Sequence, residues 1–112
     1  MHPQIGSALV QVTDRAGAVD PAAADFLLYD ERYTALETSE DVEVVAVHTE
    51  DGLRHPLVWC RAATAEHGPV AYDALGHGVE SFDSPEHRSL VVSLVRWALD
   101  GASARALSSA AI

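Results

Sequence analysis

The sequence predicts an α/β domain, and three observations carry that prediction. Val42-Glu43-Val44-Val45-Ala46-Val47 is nearly continuous in β-branched residues, the composition of a strand buried on both faces of a mainly parallel sheet. Pro56-Leu57-Val58-Trp59-Cys60-Arg61 and Val70-Ala71-Tyr72-Asp73-Ala74-Leu75 are two further extended segments. The bend at Gly68-Pro69 between them makes a β-hairpin with a long loop. From Ser84 onward the apolar residues change to helical spacing.

The start of that helix can be read residue by residue. Ser84 is a good N-cap, Pro85 suits the first helical position, and Glu86 puts negative charge where the helix dipole favours it. Leu90, Leu94, Trp97 and Ala98 then form one face, widened by Val91 and Val95, and Asp100-Gly101 predicts its end. Residues 1–101 thus form the domain, and 102–112, small and low in complexity, are expected to be a flexible tail. Upstream, Ala8 to Val12 predicts a short strand and "TDRAGAVDPAAAD" a loop. Phe26-Leu27-Leu28-Tyr29 is a compact apolar run that ends on Asp30-Glu31-Arg32-Tyr33, and Asp51-Gly52 marks a turn.

A chain of 112 residues holds one domain with a modest core. Its formal charge of -10, from 7 basic against 17 acidic residues, leaves no basic stripe to neutralise phosphates. Nucleic acid and anionic membranes are therefore excluded as partners, and a small neutral or cationic molecule fits better. No segment reads as a membrane span, Met1-His2-Pro3-Gln4 lacks the features of a secretory signal, and there is one cysteine. A cytoplasmic location is the expectation. The sequence names no cofactor.

Cys60 lies inside "LVWCRA", flanked by Trp59 and Arg61 in a strand, rather than on the sharp strand-to-helix turn that exposes a nucleophilic thiolate. It reads as a small half-buried residue. Gly76-His77-Gly78-Val79-Glu80-Ser81 does not run straight into a helix and has no lysine, so it is not a phosphate cradle. His77 and Glu80, with His87 or His55, lack the spacing that would guarantee three or four converging metal ligands.

His77 itself follows the "AYDAL" strand, and open α/β sheets bind ligands at the carboxyl ends of their strands. Gly76 and Gly78 permit unusual backbone conformations and close approach of a ligand. An imidazole there serves as general acid, general base or donor, or else as the polar tip of a turn. Asp30-Glu31 with Tyr33 is a second polar cluster, able to orient an imidazole or bind a sugar hydroxyl, although spacing alone favours a solvated helix start with Tyr33 packed beneath it. Trp59 is either a stacking face for a sugar or core, and Trp97 is core. Asp83 to Arg88 is explained by capping alone.

The order "DFLLYDERY", "VEVVAVHTEDG", "HPLVWCR", a hairpin, and "VAYDALGHGVESFDSPEHRSLVVSLVRWAL" resembles the C-terminal half of the trehalose-utilisation, or ThuA-like, family. The shared motifs are Asp-Glu-x-Tyr at residues 30 to 33, Pro-x-x-Trp at 56 to 59, Leu-Gly-His at 75 to 77 and Arg-Trp-Ala at 96 to 98. The resemblance runs from about Asp25 to Leu99. It implies a partial flavodoxin-like, class I glutamine amidotransferase-like three-layer sandwich without the amidotransferase cysteine. It also implies a setting in disaccharide or keto-sugar utilisation.

By motif position the resemblance implies Glu31 and His77 as catalytic residues, with Tyr33, Trp59, Gly76 and Gly78 lining the substrate site. Enzyme and non-catalytic binding module both remain open readings. Family members are usually about twice this length, so a homo-oligomer, or pairing with a missing N-terminal half, is expected to cover exposed sheet edges. The family's basic hairpin is replaced here by Ala65-Glu66-His67-Gly68-Pro69, and its usual His-Pro by Gly17-Ala18.

Overall fold

The β-branched run around Val45 forms the centre of the fold. In the computed structural model, which describes residues 6–30, 36–76 and 79–110, strand β3 (Glu43–Glu50) is the middle member of a five-stranded sheet. Around it stand β1 (Gly6–Val12), β2 (Phe26–Asp30), β4 (Leu53–Arg61) and β5 (Val70–Asp73), in the order β2-β1-β3-β4-β5. Val45, Ala46, Val47 and His48 are buried in succession, so both faces of β3 are covered, as its composition predicts.

The expectation of a mainly parallel sheet is corrected. Every strand pairing among the described residues is antiparallel. The connections dictate this, because parallel neighbours need crossovers of a dozen or more residues and two of these connections are tight. Between β3 and β4 stand only Asp51 (φ 52°) and Gly52 (φ 76°), both in the left-handed region that a two-residue hairpin turn demands. Between β4 and β5 the predicted hairpin forms. Its loop is closed by Thr64, whose amide donates to the His67 carbonyl at 2.8 Å and whose hydroxyl accepts the His67 amide at 3.0 Å.

Helix α1 (Pro85–Ala110) begins where the sequence places it. The hydroxyl of Ser84 accepts the His87 amide at 3.1 Å, the N-cap bond. Leu90 and Leu94 are buried against Val10, Phe26, Leu28, Val45, Val58 and Cys60, with Trp97 packed beside them. The helix does not stop at Asp100-Gly101 but continues to Ala110. Gly101 has a different role from a terminator. A Cβ there would meet Pro69 of the hairpin loop at 3.1 Å, so the missing side chain lets the helix lie close against that loop. Val95, expected on the buried stripe, is 53% exposed.

The antiparallel pairings make β2, β3 and β5 run the same way, so Asp30 and Asp73 end their strands at the same end of the sheet. β2 and β5 are nevertheless its two outer strands. Four strand spacings in a flat sheet would separate them by roughly 19 Å. The carboxylate of Asp30 reaches the amide of Gly76, only three residues beyond Asp73, at 2.8 Å. Three residues span at most about 11 Å, so the sheet curls to bring its edges together.

Candidate functional site

Alternation along β2 places Phe26, Leu28 and Asp30 inward and Leu27 and Tyr29 outward. Asp30 is thereby fully buried at the end of an apolar stripe, where a carboxylate needs donors. Gly76 supplies one through its backbone N–H.

Gly76 has φ 96°, and a Cβ on it would lie 2.8 Å from Cζ of Phe82. Backbone conformation and space both require glycine at this position. Phe82 belongs to a short 3₁₀ segment, Val79–Asp83, that returns the chain to the start of α1.

Below Phe82 lies a buried histidine. The ring of His87 has no solvent exposure and stacks on Phe82 with centroids 4.9 Å apart. Its Nε2 is 2.7 Å from Oδ2 of Asp73, and its Nδ1 is 3.0 Å from the carbonyl oxygen of Ser81. Asp73 also accepts the Leu75 amide through Oδ1 at 2.9 Å, a local turn just past the strand's last residue. Burial works against charge on His87. The hydrogen bond and charge of Asp73, the Ser81 carbonyl and the charge of Asp30 outweigh it, and the ring's pKa is raised above 6.5.

Beside this cluster an open groove of about 430 Å³ runs between β5 and α1. Asp73 lies at its edge, and Leu75, Phe82, Leu94 and Val95 supply apolar walls. The arrangement is a rim of backbone and carboxylate groups over a buried histidine paired with Asp73. It can hold one connection firmly in place next to an apolar recess.

Of the residues expected in the site, Gly76 is found in this cluster. Glu31, Tyr33, His77 and Gly78 lie outside the described residues. Asp30 and Gly76, the residues before Glu31 and His77, are the two groups joined at 2.8 Å. Trp59 is not brought here. It pairs with Tyr72 and stacks on it at 4.5 Å, on the face of the sheet opposite the one carrying Asp73.

His55 is also elsewhere, stacked on His48 at 5.2 Å across β3 and β4. Among the described residues no group of three His, Cys, Asp or Glu side chains converges to hold a metal ion. Cys60 is buried, and burial pushes its thiol up to about 11. This agrees with its reading as a packing residue.

Asp83 to Arg88, explained at first by capping alone, does more than start a helix. His87 carries the buried pair. The signal was present: His87, Leu90, Leu94 and Ala98 share one helical stripe, so counting back from Leu90 puts His87 on the buried face.

Among the described residues no helix is long and apolar enough to cross a membrane. Among curated proteins, no sequence matches the chain. The fold is similar to that of a putative ThuA-like protein from Bacteroides uniformis, with a TM-score of 0.67 at 22% identity. The similarity covers 86% of this chain and 44% of that one, so the chain spans less than half the length of its solved relative. The family described as ThuA, trehalose utilisation, matches residues 1–98, and the chain belongs to that family.

Proposed function

We propose that the chain acts on a carbohydrate, trehalose or a related disaccharide or keto-sugar, with Glu31 and His77 as an acid/base pair at a hydroxyl or carbonyl of the sugar. The observation that carries this reading is the bond from the Gly76 amide to the Asp30 carboxylate at 2.8 Å. Glu31 and His77 each lie one peptide unit beyond that contact, about 3.8 Å along the chain from its two residues. A carboxylate and an imidazole are groups suited to proton transfer near neutral pH. Tyr33, Gly76 and Gly78 would line the sugar, whereas Trp59, on the other face, is left out.

The reading extends to the architecture. We take the chain as the second half of a flavodoxin-like, three-layer arrangement, working in the cytoplasm and completed by a second copy or another polypeptide. The shared direction of β2, β3 and β5 supports this, as do the exposed Leu9, Leu27 and Tyr29 on the uncovered side of β1 and β2. The second reading, a binding module without chemistry, is motivated by the 44% coverage of the solved relative, since these residues correspond to less than half of that protein.

The test is a thermal-shift and turnover screen with trehalose and keto-disaccharides, repeated on His77→Ala and Glu31→Gln. A sugar-dependent shift and turnover, with turnover lost in both variants, is expected. Turnover undiminished in His77→Ala would remove the acid/base reading, and a shift without turnover would favour the binding module.

A further inference from the structure

A carbonyl oxygen only accepts hydrogen bonds, and so does an ionised carboxylate. His87 faces one of each, the Ser81 carbonyl at Nδ1 and the Asp73 carboxylate at Nε2. Both contacts are hydrogen bonds at once only when both ring nitrogens carry protons. A neutral ring keeps one and turns a lone pair towards the other oxygen. Asp73 accepts at both of its oxygens, from the Leu75 amide at Oδ1 and from the ring at Oδ2.

The two oxygens stand at opposite ends of one connection. Asp73 closes β5, and Ser81 lies in the 3₁₀ segment before α1. Between them run Ala74 to Glu80, with Gly76 pinned to Asp30 in β2. The ring is anchored from its own side by the Ser84 cap and by Phe82 stacked on it. Among the described residues the charges acting on it are Asp73 from β5 and Asp30 from β2, and Arg88 on α1 donates to the Phe82 carbonyl at 2.6 Å.

We infer that His87 is a positioning residue: as an imidazolium it clasps both ends of the connection that carries Gly76-His77-Gly78, and so fixes the backbone of Gly76, the residue before His77, at the end of the sheet. The functional consequence rests on the reading of His77 as a site residue. With no solvent exposure, His87 cannot touch a substrate itself. Its raised pKa keeps the clasp closed to higher pH than a free imidazole would allow, and one of its two bonds is lost as the ring deprotonates.

The test is a nitrogen-15 NMR titration of the full chain, with no sugar present. His77→Ala serves as the background, so that the neighbouring imidazole cannot supply the titration. Expected are two protonated His87 nitrogens at a pH where an exposed histidine is neutral, and Gly76 and Gly78 amides that shift with the same midpoint. Adding Asp73→Asn should move that midpoint to lower pH. Adding His87→Phe, which keeps the stacked ring, should abolish it. Should His87→Phe not fold, Asp73→Asn decides the matter.

A His87 ring that titrates without moving the Gly76 and Gly78 amides overturns the inference, as does a loop titration that survives His87→Phe. The sugar screen is read separately. Intact coupling with undiminished turnover in His77→Ala leaves the clasp standing and removes the catalytic reading, and absent coupling with lost turnover does the reverse.

Discussion

His87 Nε2 lies 2.7 Å from Asp73 Oδ2, and the ring between that carboxylate and the Ser81 carbonyl is completely buried. A buried pair of this kind is seldom a large net source of stability, because desolvation offsets the attraction. It is a source of pH dependence. The folded state raises the pKa of His87 above the 6.5 of a free ring, so folding binds a proton more tightly than the unfolded chain does.

The sign follows from that direction. The contribution of His87 is fully present below the unfolded value of 6.5 and is lost as pH rises through the folded value. Urea denaturation at a series of pH values above 6.5 should therefore show stability declining towards alkaline pH. In Asp73→Asn the decline should be much shallower and end at lower pH. A wild-type profile that is flat or rises over this range would contradict the assignment.

Asp30 gives the second prediction. Its fully buried carboxylate accepts the Gly76 amide, and Asp30→Ala leaves that amide without this acceptor. An unsatisfied buried donor costs about 1–3 kcal/mol, so the urea midpoint should fall accordingly. Amide exchange at Gly76 should accelerate. Asp30→Asn keeps an acceptor oxygen and should lose less stability, yet it removes a charge that raises the His87 pKa. The pH midpoint of His87 should drop in both variants.

Much of this fold could be read ahead of the structure, and the misreadings have physical causes. Composition around Val45 reports burial on both faces, which β3 has, but burial does not encode strand direction. That information lay in the two-residue turn at Asp51-Gly52, which permits only an antiparallel neighbour. Gly101 was ambiguous because a glycine that ends a helix and one that admits a close neighbour look alike in sequence. Its neighbour Pro69 is distant along the chain. His87 was within reach by helical counting, whereas its partner Asp73, across the sheet end, was not. Trp59 lies apart from the Asp73 cluster because strand alternation assigns it to the same face as Tyr72.

Cys60 yields a prediction about reactivity. With its thiol pushed up to about 11 by burial and only 3% of the residue exposed, little thiolate is present at neutral pH and reagents cannot reach it. A chromogenic disulfide reagent should label the native chain slowly and the urea-unfolded chain quickly. The labelling rate across a urea series should follow the fraction unfolded. Fast labelling without denaturant would return Cys60 to the candidate nucleophiles.

The last prediction concerns Gly76, the described residue of the Gly-His-Gly motif. Two independent obstacles oppose any side chain there. Its φ of 96° lies in a region that L side chains rarely adopt, and a Cβ would stand 2.8 Å from the Phe82 ring. Holding a non-glycine residue in such a conformation costs about 1–3 kcal/mol before the clash is counted. Phe82 cannot yield freely, because His87 stacks on it. Gly76→Ala should therefore lower the urea midpoint by an amount equivalent to roughly 2 kcal/mol or more, with an unchanged slope. Gly68→Ala is the control. A Cβ at Gly68 meets nothing within 4 Å, and its stability should stay within about 0.5 kcal/mol of wild type. Equal losses in the two variants would mean that Gly76 is an ordinary loop glycine. A loss confined to Gly76→Ala, together with a shifted His87 titration, would show that the ring, Phe82 and the loop backbone respond as one packed unit.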